Sequence, residues 1–160
     1  MLKKISVLSA VMLLFTLTAC LSVKQNVIDE TNVKFKTTSV EIVEDSSSLK
    51  ISENAIFEEN LYKNLAKSGF SKNNENRLKI QYKFVEYDKG NRALRIFTGI
   101  LGPGKGKLIV EIRYFDNKNT IIAATSTEAV MRGGFWGGNF KDAVIEASEK
   151  ISQYTVKNFK

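Results

Sequence analysis

The chain has 160 residues, with 24 lysines and arginines against 17 acids, one cysteine and no histidine, for a net charge of +7. That inventory excludes an intramolecular disulfide and a CxxC redox or zinc site. It also excludes every mechanism that needs an imidazole as general base, proton shuttle or metal ligand.

The N-terminus reads MLKKISVLSAVMLLFTLTACLS. Lys3 and Lys4 form a charged start, and Ile5 to Leu17 is apolar apart from Ser6, Ser9 and Thr16. The run is shorter than the roughly 20 residues a membrane-spanning helix needs. This is the pattern of a secretory signal, with residues 1–19 removed. Leu17-Thr18-Ala19-Cys20 resembles the lipobox of bacterial lipoproteins, in which the cysteine is acylated and becomes the new N-terminus. The expected partner of Cys20 is therefore a membrane, reached through covalent lipid. Stable anchoring takes more than one acyl chain, and lipoproteins of this type resemble a case with three. Leu21 stands where an aspartate would resemble an inner-membrane retention signal, so the expected location is the outer membrane, facing the periplasm. Loss of residues 1–19 removes two lysines and no acid, which leaves +5. That charge suits solubility or an anionic lipid surface, and export argues against a nucleic-acid partner.

Residues 20–31 carry little pattern and read as a flexible tether from the acylated cysteine. The folded part is then a single domain over 32–160. Val33, Phe35, Val40 and Ile42 predict a first strand or strand pair, and Glu44-Asp45-Ser46-Ser47-Ser48 a polar loop. A helix follows, with Ser52 as N-cap, Glu53 in its first turn, and Phe57, Leu61 and Leu65 as an apolar stripe beside Ala55, Tyr62 and Ala66. Lys67 and a left-handed Gly69 end it.

Leu78, Ile80, Tyr82 and Phe84 alternate with Lys79, Gln81 and Lys83, which predicts a strand with one covered face. Leu108, Val110, Ile112 and Tyr114 predict a second strand, with Glu111 and Arg113 opposite. Thr120 to Met131 predicts a third, joined to the second through the turn Asp116-Asn117-Lys118-Asn119 as a hairpin. Asn139 and Asp142 then form a variant of the capping box, ahead of a stripe of Phe140, Ala143, Val144, Ala147, Ile151 and Tyr154. The predicted architecture is α+β: two helices packed on one face of a mostly antiparallel sheet, a two-layer sandwich, after a cleaved signal peptide.

Three patterns invite a chemical reading and do not support one. Gly99 to Lys105 has the spacing of a phosphate-binding loop, but Gly106 replaces the hydroxyl residue and a strand follows where a helix is required. Glu44-Asp45 and Glu58-Glu59 are adjacent acids, read as solvated surface because neighbours on a helix do not face each other. Asp116 and Asn119 lack the glycine and terminal glutamate of a calcium loop. No cofactor or metal is expected, and the chain is read as a non-enzyme.

Contact surfaces are better candidates. No acid occurs from Lys89 to Val110, while Lys89, Arg92, Arg95, Lys105 and Lys107 alternate with apolar residues. Such a loop suits lipid headgroups, or fills a sheet edge with its charges in solvent. The stretch GGFWGGNF, residues 133–140, holds the only tryptophan between glycine pairs. It is read first as a joint between the last strand and the last helix, with Phe135, Trp136 and Phe140 sealing the core, and second as a membrane or ligand contact. The candidate contact residues are Arg92, Arg95, Lys105, Lys107, Phe135 and Trp136.

The order of these pieces is itself informative. Gly90-Asn91-Arg92-Ala93-Leu94-Arg95, then Gly102-Pro103-Gly104-Lys105-Gly106, a strand running to Asp116, the Gly/Phe/Trp/Gly joint and an amphipathic helix together resemble the bacterial lipoproteins grouped as domain of unknown function 4410. The resemblance covers residues 78–158 and the lipobox. Many relatives carry a D-x-x-T-G type turn where this chain has Asp116-Asn117-Lys118-Asn119-Thr120. The family implies no activity, substrate or catalytic residue. The sequence thus points to an envelope lipoprotein that scaffolds or binds a protein partner. The alternative is a lipid- or glycan-binding accessory module using the loop 89–107.

Overall fold

A computed structural model describes residues 21–30, 35–72, 76–91, 105–131 and 139–160. Five strands and two helices follow in the order β1 (Leu21–Glu30), β2 (Val40–Glu44), α1 (Asn54–Lys67), β3 (Leu78–Asp88), β4 (Gly106–Phe115), β5 (Ile121–Met131) and α2 (Phe140–Phe159). The sheet order is β1-β5-β4-β3-β2. All neighbours are antiparallel except β2 and β3, which are parallel. The two-layer α+β reading from the sequence therefore holds.

The alternation seen in the sequence sets the faces. Leu78, Ile80, Tyr82 and Phe84 of β3 and Leu108, Val110, Ile112 and Tyr114 of β4 are buried on the helix-covered face. Ile80 pairs with Tyr114 and Tyr82 with Ile112, so these side chains stack in rows. α1 adds Phe57, Leu61 and Leu65, and α2 adds Ala143, Val144, Ala147 and Ile151. Phe57, Tyr82 and Phe84 form one aromatic cluster with centroids 4.9 to 5.5 Å apart. Tyr114, Tyr154 and Phe159 form another at 5.0 to 6.1 Å. The opposite sheet face carries Lys79, Gln81, Lys83, Glu111 and Arg113, as expected of a face turned to water.

The local signals held at most element ends. Asn139 and Asp142 form the reciprocal capping box of α2. Gly69 takes φ +85°, and the bonds Gly69 N–H to Ala66 O and Phe70 N–H to Leu65 O close α1 as a Schellman motif. At the hairpin turn, the Asp116 carboxylate accepts from the N–H groups of Lys118 and Thr120 while Asn119 takes φ +58°.

Three expectations are corrected. Residues 21–30, expected within a flexible tether, form edge strand β1, paired antiparallel with β5 from Leu21 to Glu30 with a register shift at Ile28. Backbone pairing with β5 orders the segment, and Leu21 and Val23 pack against the core. The first strand narrows to Val40–Glu44. Phe35 packs against the core outside any strand, and Val33 lies outside the described residues. Ser52 does not cap α1. Its hydroxyl donates to the Glu53 carboxylate at 2.6 Å, and Glu53 occupies the N-cap position without a side-chain cap bond.

Candidate functional site at one end of the sheet

The register brings together what the sequence kept apart. Leu21 pairs with Met131, Met131 with Gly106, and Lys107 with Asp88. The start of β1, the end of β5, the start of β4 and the end of β3 therefore meet at one end of the sheet. Phe140 at the start of α2 reaches the same end, its ring 4.6 Å from that of Tyr87. Cys20 is bonded to Leu21, the segment 92–104 is flanked by Asn91 and Lys105, and the segment 132–138 is flanked by Met131 and Asn139. The cysteine, the basic loop and the glycine–tryptophan stretch all join the described structure here.

Gly106 explains how these strands close on each other. A Cβ at this position would run into the Met131 side chain and lie 2.9 Å from Lys89 O and 3.0 Å from Asp88 O. Only a residue without a side chain allows that approach. A register shift between Phe84 and Glu86 completes the arrangement. It changes the phase of β3, so that Glu86 pairs with Ile109 on the open face and Tyr87 pairs with Leu108 on the helix face.

The charges at this end are largely matched. Lys89 Nζ lies 3.0 Å from Glu53 Oε1, and Glu53 Oε2 accepts from Ser52 at 2.6 Å and from Tyr87 at 2.5 Å. Burial alone would push the Glu53 carboxyl up. The bonds from Ser52, Tyr87 and Lys89, with the lysine charge, outweigh it and hold the group at about 2. Lys107 Nζ lies 2.9 Å from Glu86 and 3.8 Å from Glu128 on the adjacent strands. The hydrogen bond to Glu86 raises its pKa. Lys105 is exposed. Of the candidate contact residues, then, Lys107 is tied into an ion-pair cluster and Lys105 is open to solvent. Arg92, Arg95, Phe135, Trp136 and the lipidation residue Cys20 lie outside the described residues. Phe140 is buried, as a residue sealing the core should be.

Two further arrangements were not visible in the sequence. Glu58 of α1 and Glu44 of β2, read as solvated acids, converge on Asn54 and Tyr82. The Tyr82 hydroxyl donates to Glu58 at 2.5 Å with Asn54 Oδ1 at 2.8 Å, and Asn54 Nδ2 donates to Glu44 at 3.2 Å. Burial, then Glu58, raise the Tyr82 pKa, so the phenol stays a donor. The pairing needs β3 beside α1 and carries no local signal. Between the helices lies an open groove of about 440 Å³ lined by polar residues including Asn64, Lys67, Glu149 and Lys157. Among the described residues no group of three or more Cys, Asp or Glu is placed to hold a metal ion. No helix among them is long and apolar enough to cross a membrane.

No curated protein matches the sequence. The fold is similar to that of the PelC dodecamer from Paraburkholderia phytofirmans, seen in two structures. The first, a point variant, superposes with a TM-score of 0.55 at 12% identity, covering 88% of this chain and 99% of that one. The second gives 0.51 at 10% identity, with the same coverage of 88% and 99%. The likeness is one of fold. A family model matches residues 21–134, from the first residue of β1 through β5. It therefore starts earlier and ends earlier than the 78–158 stretch that carries the resemblance in the sequence. The chain belongs to the family described as domain of unknown function DUF4410.

Proposed function

We propose that this chain is a non-enzymatic lipoprotein of the cell envelope, anchored through acylated Cys20, whose α+β domain scaffolds or binds a protein partner at the membrane surface. The observation that carries the reading is the start of β1 at Leu21, one residue after the lipobox cysteine. With no linker between lipid and sheet, the domain is held against the bilayer in a restricted orientation, which suits a scaffold. Leu21 in place of an aspartate favours the outer membrane, with the domain in the periplasm. The lack of histidine in the sequence supports a binding role over turnover. The PelC chains that share the fold are described as dodecamers, which supports a domain that works by assembly.

Palmitate labelling of wild type and Cys20→Ser tests the anchor. Loss of label, with the variant moving to the soluble fraction, is expected. Unchanged labelling refutes the anchor. A pull-down from detergent-solubilised envelopes tests the partner, and a stoichiometric protein is the expected result.

The second reading, a lipid- or glycan-binding module using the loop 89–107, is favoured by one observation. Both flanks of that loop lie at the sheet end that begins with Leu21. Flotation of the unacylated domain with anionic liposomes tests it. Recovery in the bottom fraction for both wild type and an Arg92/Arg95 charge-reversal variant refutes it.

A further inference from the structure

Among the described residues the sheet has two open edges, and they are unlike. β1 offers ten residues on one side. On the other side β2 offers five, and its first residue is already engaged, because Val40 N–H donates to Ser71 O. Ser39 O accepts from Leu78 N–H and Asp45 N–H donates to Tyr82 O. By the alternation of a strand, the backbone groups of Ile42 and Glu44 then point away from β3. An unpaired strand edge is a template for another strand.

The exposed apolar side chains are concentrated at these edges. Among the described residues, the large hydrophobics most open to solvent are Val27 at 51%, Ile28 at 60%, Leu49 at 46% and Ile121 at 44%. Val27 and Ile28 lie on β1. Leu49 lies just past β2, where its N–H donates to Phe84 O. The heights agree as well. The register runs Val27 to Thr125, Ile112, Tyr82 and Glu44, so Val27 and Glu44 stand at one level on opposite edges.

Direction decides the occupant. β1 and β2 run antiparallel to each other across the sheet. A copy moved sideways, still upright, brings its β2 against the first copy's β1 in antiparallel sense. Its helices fall on the same face as the first copy's. A symmetric β1–β1 antiparallel pair does the opposite. It inverts one copy and puts the two Leu21 residues at opposite ends of a strand about 30 Å long. Two acylated Cys20 residues could not then share one leaflet.

We propose that copies of this chain on one membrane surface associate head to tail, β1 of one copy adding to β2 of the next. The contact is heterologous, so it propagates, closing into a ring or continuing as a strip. This inference rests on the Cys20 anchor, which holds every copy upright.

The test uses the full chain in native envelopes, with Val27→Cys and Glu44→Cys combined, Val27→Cys and Leu49→Cys combined, and each single variant. All three positions lie at the edges, and thermal melts of each variant confirm folding. Oxidation of at least one double variant should give bands beyond the dimer, absent from every single variant. Dimers from Val27→Cys alone would show β1–β1 pairing and overturn the proposal. Palmitate labelling of the same samples separates the two claims. Monomers with label retained overturn the edge contact. Monomers without label overturn the anchor and the upright arrangement with it. A ladder without label overturns the anchor and leaves the edge contact standing.

Discussion

The buried residues of α1 are all large, whereas α2 intersperses Phe140, Val144, Ile151 and Phe159 with small ones. Phe57 reaches down to Tyr82 and Phe84, with Leu61 and Leu65 buried beside it, and the backbone of α1 stands back from the strands. The small buried residues of α2 include Ala143, Ala147, Ser148, Ser152 and Thr155, and those of β5 are Ala123, Thr125, Thr127 and Ala129. The backbone of α2 comes close to β5, β1 and α1 at once. Their entries differ too. α2 starts with a capping box, whereas the start of α1 is held by the network of Ser52, Glu53, Tyr87 and Lys89. The α1 half of the core therefore depends on filled volume, and the α2 half combines filled volume with close approach at its alanines.

The largest expected effect lies under α1. Phe57→Ala removes the ring shared by Tyr82 and Phe84 and should cost about 3–5 kcal/mol in urea unfolding. A loss below that of a single methylene would mean that α1 can collapse onto the sheet, and the contrast with α2 would fail. Under α2 the damaging change runs the other way. Ala147→Leu adds volume at a fully buried position and should cost about 1–3 kcal/mol, whereas a stabilised variant would show the interface to be loose. At the start of α1, Glu53→Gln should cost about 1.5–3 kcal/mol near neutral pH, the scale of hydrogen bonds to a charged group. Its pH dependence has a definite sign. The folded carboxyl at about 2 lies below its ordinary value of 4.5, so its stabilisation is complete above pH 4.5 and fades as pH falls towards 2. Wild type should lose stability over that window more steeply than Glu53→Gln, and parallel urea midpoints would break the assignment. The smallest effect belongs to the cap of α2. Asn139→Ala should cost about 1 kcal/mol by thermal unfolding.

Periodic burial was the legible part of this fold. The alternation from Leu78 to Phe84 and the stripe Phe57-Leu61-Leu65 identified both layers, because each repeats the geometry of its element. Caps and turns at Asn139, Gly69 and Asp116 were legible because their chemistry is local. β1 was not. LSVKQNVIDE has no clean alternation, and its partner β5 is a hundred residues away. An edge strand draws its order from backbone pairing that side chains do not announce. The phase change after Phe84 was hidden for a related reason, since Phe84-Val85-Glu86-Tyr87 simply looks like the end of a pattern. Of the candidate site, the sequence named Lys105 and Lys107 but not their different fates. The acids that hold Lys107, Glu86 and Glu128, come from neighbouring strands.

The start of β1 at Leu21 also decides how the domain carries load. Were Cys20 held in a bilayer, as proposed, and the domain pulled away from it, tension would enter β1 along its own axis at Leu21. The ladder to β5 is then loaded in shear, so its hydrogen bonds share the force and must yield together. The same strand pulled sideways would unzip one bond at a time. Drawing chain out between Leu21 and the rest of the sheet thus requires the β1–β5 pairing to fail as a unit, so the domain is stiffest against a pull along β1 from its Leu21 end.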